Sequence, residues 1–463
     1  MKSQRKSSQF PWWLKIYAPP AWLAYLAVWL LFLARGLFLI DPDFGWHLAA
    51  GNYYWAHGIP EHDIFTFAAS NFPWINHEWL SDMILAALHG AGGYWLVAVF
   101  YAALWTAAFW LVVRRRLPLA AVFGALVCLP FAGVRAIAWT VFCVAVLHEL
   151  FRLAPRWRGL IPGLMLIWAN LHGGFVVGLA YIGYRWLRQP SWRGAALGMV
   201  SILATTATPY GAAIYVEIIR TLNDRSLHGR IDEWRTLAFG IEVAILAAVW
   251  VALRYLYTRS AVRTALAFPV ILLLASIMSV RNVPLLALFI VADISYMIYK
   301  TKIPWQQILG RLRQIRGCMI VLALLAVIFS GYLVWRGLLE RASLEPEARY
   351  PRAIASTLQA GACRGGNLYN DYNIGGYLIW RAPQQKVYID GRMPSWQHAG
   401  VKYMDNYYRV MNDQAFRQRE FARFHIICAA IPKGSPLAKS LRQSGWKTII
   451  SDSAGYALLK ASE

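Results

Sequence analysis

The sequence predicts a polytopic α-helical membrane protein with a small C-terminal soluble α/β domain, on three observations. Hydrophobic residues fill 58% of the 463 positions and mean hydropathy is +0.41, more apolar surface than a soluble domain of this length needs. Apolar runs near the ~20 residues that cross a bilayer alternate with short Lys/Arg clusters. From residue 339 on, charge is spread throughout, and short apolar runs alternate with helix-like stretches.

The elements follow in order. The N-terminal MKSQRKSSQFPWWLK is basic, and the apolar segment 18–40 follows with no small-x-small cleavage site before Asp41. This is an uncleaved signal anchor with a cytoplasmic N-terminus. Basic clusters at Arg114-Arg115-Arg116, Arg152/Arg156/Arg158, Arg185/Arg188/Arg193, Arg254/Arg259/Arg263 and Lys300–Arg316 mark cytoplasmic turns, with two crossings between each. The crossings fall at 18–40, 94–113, 117–133, 136–151, 159–170, 174–187, 194–208, 242–258, 264–279, 283–299 and 317–338. That makes about 11 spans, several shorter than ~17 residues, and an odd number puts the C-terminus on the far side. Residues 1–338 form the membrane domain, with 41–93 as a large extracytoplasmic loop, and 339–463 form the extracytoplasmic domain. Within the loop, 78–93 reads as an interfacial helix because Glu78, Asp82, His89 and the GAGG end are unsuited to hydrocarbon.

In the C-terminal region, Asn367–Tyr372, Lys386–Asp390, Phe424–Ile431, Trp446–Ser451 and Tyr456–Lys460 read as strands, and Pro436–Gly445 as a helix. Cys363 and Cys428 either pair in an oxidising compartment or stay as two buried thiols. The net charge of +23 comes from 46 basic against 23 acidic residues, but its distribution is the positive-inside pattern, so no nucleic acid is expected as partner.

The chemistry concentrates where the first span exits. Asp41-Pro42-Asp43 opens DPDFGWHLAAGNYYWAHGIPEHD, and NHEWLSD follows at 76–82. Carboxylates and imidazoles this dense beside a span are costly unless water, a metal or a polar substrate meets them. Asp43 can cap the helix that starts at Phe44, with His47 one turn on, so a helix cap with a solvated neighbour is the plainer alternative to an acid pair. His77-Glu78 is a second polar element closing on the same cavity, or Glu78 is a favourable charge in a first helical turn. His47, His62, His77 and His172 show no closed zinc spacing; a loosely held Mg²⁺ or Mn²⁺ on Asp41 and Asp43 fits carboxylate and phosphate oxygens better. Arg135 and Arg281, at far-side turns, run against the positive-inside bias and suit a lipid phosphate clamp, with interfacial snorkelling as the alternative. His172 sits in Asn170–Gly174, a turn that needs its glycines in any case. Asp371, Asp390 and Arg392 hold loops at strand ends or dock substrate.

Taken together, the basic N-terminus, the Asp41-Pro42-Asp43 exit, HEWLSDMILAALHGAGG and the far-side C-terminal domain resemble the GT-C superfamily of integral-membrane glycosyltransferases. More narrowly, DPDFGWHLAAG, NHEWLSD, ANLHGGF, SVRNVP and NDYNIGGYLIW…VYIDGR resemble a bacterial group placed in that superfamily. The resemblance implies a cytoplasmic (inner) membrane location and transfer of a sugar from a polyprenyl-phosphate-linked donor to a lipid, glycan or protein acceptor. It implies Asp41 or Asp43 as the acid that activates the acceptor hydroxyl, the other holding acceptor or cation, and Glu78 beside them. His47, His77 and His172 would bind substrate, and Arg135 and Arg281 the leaving phosphate. The WWD-type signature of oligosaccharyltransferases is not found in the sequence. Membrane lipid is a further expected partner, and no protein partner is indicated. Competing readings are a lipid or glycan transporter, which needs polar groups in mid-span, and a non-catalytic assembly or binding protein.

Overall fold

The computed structural model describes residues 21–114, 117–224, 226–231, 234–236, 241–300, 347 and 349–462. The basic N-terminus, the Arg115-Arg116 pair, the expected span at 317–338 and the 338/339 boundary lie outside them.

The apolar runs form helices. These are α1 (Ala21–Phe38), α2 (Phe44–His57), α3 (Trp79–Val113), α4 (Pro118–Cys128), α5 (Ile137–Arg152), α6 (Ile161–Leu171) and α7 (Phe175–Arg188). They continue with α8 (Trp192–Thr205), α9 (Ala213–Asn223), α10 (Ile241–Thr258), α11 (Phe268–Met278) and α12 (Val283–Lys300). Pro118 and Pro269 stand in the first turns of α4 and α11, where a missing N–H costs nothing. The Ser191 hydroxyl caps α8 by accepting from the Gly194 N–H at 3.1 Å.

Among the described residues, three helices are long and apolar enough to cross a membrane on those grounds alone: Ala21–Phe38, Trp79–Val113 and Val280–Ile298. The interfacial helix expected at 78–93 and the span expected from 94 follow one another within Trp79–Val113 as two helical stretches that meet at a kink. The kink lies at Gly92 and Gly93, where Gly93 takes a φ of 64° that side-chain-bearing residues avoid. Asp82, expected at a headgroup surface, is fully buried instead. The 209–241 connection contains the amphipathic α9, which apolar-run reasoning left unassigned. Charge inside the bundle is paired: Glu149 with Arg114 at 2.5 Å and Arg152 at 2.8 Å, and Asp293 with Arg254 at 2.7 Å and the Trp250 Nε1–H at 2.9 Å.

The C-terminal region is a small sheet with helices. It comprises α13 (Arg352–Gln359), β1 (Asn367–Asn370), α14 (Gly375–Arg381), β2 (Gln397–His398), β3 (Val401–Lys402), α15 (Tyr403–Asn412), α16 (Gln414–Arg423), β4 (Ile426–Pro432), α17 (Pro436–Gln443), β5 (Lys447–Ser451) and β6 (Tyr456–Lys460). The main sheet runs β1-β4-β6-β5, with β1 parallel to β4 and the other pairs antiparallel. β2 and β3 make a separate two-stranded ribbon. The expected strand Lys386–Asp390 does not join the sheet. Val387 forms a single bridge to Thr66, and Asn370 Oδ1 accepts the Tyr388 N–H at 2.8 Å, so side-chain and loop partners replace a ladder. Cys363 and Cys428 form a disulfide.

One apolar core lies among the helices. A second joins the sheet to residues of the 41–93 loop, among them Trp46, Tyr54, Phe72 and Trp74. At two glycines the regions also meet backbone on backbone. A methyl group at Gly45 would come 2.2 Å from the Gly376 carbonyl oxygen, and one at Gly376 2.5 Å from that of Pro42. The DPDFGW turn and the NIGGYLIW run therefore interlock through glycines.

Candidate active site

The turn at Asp41-Pro42-Asp43 is closed by the Asp43 N–H, which donates to Asp41 Oδ1 at 3.0 Å, and by the Phe44 N–H to the Asp41 carbonyl. Asp43 occupies the N-cap position of α2, yet its side chain makes no capping bond. The Trp46 indole takes it instead, donating to Oδ1 at 3.0 Å. This turns the carboxylate away from the helix end and corrects the cap expected from the sequence. Asp41 Oδ2 is held by Arg135 Nε at 2.9 Å.

All eight residues singled out by sequence line one cavity of about 610 Å³: Asp41, Asp43, His47, His77, Glu78, Arg135, His172 and Arg281. His62 does not; it bridges Pro73 at the far end of the loop. Of the cavity's other walls, Arg392 was named from the sequence as a loop holder or substrate dock, and the rest were not foreseen. Glu217 comes from α9, and Tyr372, Asn373, Gly391, Arg392 and Trp396 come from the C-terminal region.

Glu78 is the hub. Its carboxylate receives His172 Nε2 at 3.2 Å, His47 Nε2 at 3.5 Å and His77 Nε2 at 3.6 Å. Burial works to raise its pKa, but His77, His172 and His47 overcome this and hold it well below the usual carboxylate range. The three imidazoles differ. His172 Nδ1 accepts from the Gly174 N–H at 3.0 Å and faces Thr140 Oγ1 at 2.6 Å. An acceptor at Nδ1 leaves the proton on Nε2, aimed at Glu78, and burial lowers the ring's pKa to about 3, so it stays neutral.

His47 is the opposite case. Burial alone favours the neutral ring, but Asp82 Oδ1 at 2.6 Å from Nδ1, with Glu78 and Asp43, holds it up to about 9. Asp82 is itself oriented by the Asn76 amide at 2.7 Å, and that amide also reaches the Tyr54 hydroxyl at 2.8 Å. His77 is likewise raised: burial opposes its charge, and Glu78 wins. For Asp43, burial and the neighbouring Asp41 charge push the carboxyl up to about 6. Glu217 is raised by burial against the pull of Arg220 and His77.

Arg281 stacks on Trp234, 4.6 Å from the ring centroid, which fixes its guanidinium on the cavity wall. Arg392 forks onto Asp390 at 2.8 and 2.6 Å and reaches Asp63 at 2.6 Å, all three side chains buried. It ties the 41–93 loop to the C-terminal region, while Asp371 holds the Tyr372–Ile374 turn through the Asn373 N–H at 3.0 Å. Both act as the loop holders that the sequence suggested.

Among the described residues, no three His, Cys, Asp or Glu side chains are grouped to hold a metal. Both Asp41 oxygens are engaged, by Arg135 and by the Asp43 N–H.

No family model and no curated protein sequence matches the chain. Solved structures do. The archaeal oligosaccharyltransferase AglB from Archaeoglobus fulgidus, in complex with an inhibitory peptide and a dolichol-phosphate, aligns at 9% identity with a TM-score of 0.61, covering 91% of this chain and 70% of that one. The Archaeoglobus fulgidus oligosaccharyltransferase tethered to an acceptor peptide aligns at 11% and 0.56, with 91% and 70% coverage. The same organism's enzyme in complex with Zn and sulfate gives 11% and 0.53, with 88% and 68%. At such identity the likeness is one of fold. The chain shares the fold of these oligosaccharyltransferase structures.

Proposed function

We propose that this protein is a membrane glycosyltransferase. It moves a sugar from a polyprenyl-phosphate-linked donor to a lipid, glycan or protein acceptor on the extracytoplasmic face of a bacterial inner membrane. In this reading the chain crosses about eleven times with its N-terminus in the cytoplasm, and residues 339–463 form an extracytoplasmic domain. The observation that carries the function is the division of labour at the first-span exit. Asp41 is neutralised by Arg135, while Asp43 faces the same cavity with its pKa raised to about 6. A base titrating near the working pH is best placed to accept a proton.

The reaction then runs in one displacement. Asp43 takes the proton of the acceptor hydroxyl as its oxygen bonds to the anomeric carbon. The bond from that carbon to the donor phosphate oxygen breaks, and the phosphate leaves with the electron pair. Arg135 and Arg281 receive the charge developing there. Glu78 with His47, His77 and His172 holds sugar hydroxyls at the cavity floor. The dolichol-phosphate and peptide bound by the archaeal enzyme support a lipid-linked donor and a polar acceptor. A divalent cation would be held by Asp41 and Asp43 and would supply positive charge beside the donor phosphate; no step is routed through it.

Two measurements test this. Native mass spectrometry of the purified protein should find a polyprenyl-phosphate sugar on the wild type and little on Arg281→Ala. Ordinary phospholipid alone in both would sink the donor assignment. Asp43→Asn should lower transfer by ~10²–10⁴-fold in reconstituted membranes while keeping the wild-type melting profile. Full activity in both Asp43→Asn and Asp41→Asn would remove the acid from the mechanism.

A further inference from the structure

The basic clusters that the sequence spreads over separate turns meet in space. Arg135 just precedes α5, His172 follows α6 and Gly174 precedes α7, so all three helices have one end at the acidic cavity. Their other ends border a second cavity of about 550 Å³, lined by Phe151, Arg156, Arg158, Arg185, Trp186 and Arg193 among others. α5 has 16 residues, which sets the two cavities roughly 24 Å apart along the bundle.

The second cavity is chemically unlike the first. Its lining holds four arginines and no Asp or Glu. Arg158 and Arg185 both lean on the Phe151 ring, at 5.8 and 5.1 Å from its centroid. Arg158 Nε is buried and has no hydrogen-bond partner among the described residues. Positive-inside bias puts arginines near a membrane surface, but it gives no reason to bury a donor without an acceptor, which costs free energy until something fills the place. Trp157, Trp186, Leu187 and Trp192, on or beside the lining in the chain, are exposed, and rings of this kind favour headgroup depth.

We propose that this cavity binds a phosphate-bearing anion, the headgroup of an acidic phospholipid, at the end of the bundle opposite the acidic cavity. Guanidinium forks match phosphate oxygens in shape and charge, and the exposed apolar rim suits acyl chains. The assignment is independent of the transferase reading, since no residue is shared between the two linings.

The test titrates full-length protein in neutral detergent with phosphatidylglycerol, phosphatidylcholine or inorganic phosphate. Binding is read from the concentration dependence of the melting temperature. Phosphatidylglycerol should stabilise the wild type, and Arg158→Gln with Arg185→Gln should weaken that by tenfold or more in apparent Kd. Arg188→Gln, from the same basic run but outside the lining, should leave it unchanged. Inorganic phosphate binding as tightly as the lipid, and lost in the same double variant, keeps the site and assigns it to a soluble phosphate. Equal response to phosphatidylglycerol in wild type and double variant overturns the proposal, as does an equal response to phosphatidylcholine. Should the double variant fail to fold, the exposed Arg193→Gln carries the same comparison, with a loss of a few-fold expected.

Discussion

Gly391→Ala is the sharpest probe of the site, because it alters the acid without touching it. A methyl group at position 391 would lie 1.7 Å from Asp43 Oδ1, where ordinary contact begins at 3.4 Å. The carboxylate must therefore retreat by about the difference, between one and two ångströms, or the C-terminal loop must back away by as much. The first outcome strains the 3.0 Å bond from the Trp46 indole and moves the base off its line to the acceptor hydroxyl. Misplacement of a reacting group by ~1 Å costs on the order of 10²-fold in rate. The assay is transfer of radiolabelled sugar from a polyprenyl-phosphate donor in reconstituted membranes, beside a melting curve. The expected result is a loss of about 10²-fold in kcat, with KM for the donor much less affected because Arg281 lies on another wall. Unchanged kcat in a folded Gly391→Ala protein would refute the reasoning, since Asp43 would then tolerate a displacement no positioned base tolerates.

Other consequences follow from the same geometry. Activity should rise with pH as Asp43 ionises, with an apparent pKa near 6, and fall again as the His47 imidazolium is lost near 9. Stability should move differently: His47 has a folded-state pKa above its ordinary 6.5, so its contribution is complete below that value and disappears as pH rises through about 9. Melting temperatures measured across that window should decline more steeply for the wild type than for Asp82→Asn. Arg392→Ala strands two buried carboxylates, Asp63 and Asp390, and should cost about 3–5 kcal/mol in denaturant titration. Replacing Cys363 and Cys428 by alanine opens a crosslink between positions 65 residues apart and should cost about 4 kcal/mol by chain entropy, read the same way.

Much of this was legible in the sequence for a plain reason. Apolar runs bounded by arginine can be little other than helices, and ten of the eleven expected crossings fall on described helices or helix segments. The polar motifs at their connections, Asp41-Pro42-Asp43, His77-Glu78, Arg135, His172 and Arg281, were visible because charge is expensive there. Long-range pairing was not. Asp82 read as a solvated helix residue, because nothing local announces that His47, 35 positions earlier, will meet its carboxylate. Glu217 sits in IYVEIIR, an ordinary amphipathic pattern. Lys386–Asp390 carries strand-like residues but spends its backbone groups on Asn370 and the 41–93 loop. The place of Gly376 against Pro42 and Trp46 could not be inferred from local pattern.

The glycine interlock also bears on biogenesis. Translation delivers Asp41 and Asp43 to the membrane hundreds of residues before Gly376 and Gly391 exist. Until the C-terminal region has been made and has folded, the acid turn lacks the glycine surface packed against it, and the cavity lacks a wall. A nascent chain would thus hold every charged residue of the first loop around a cavity that is not yet closed.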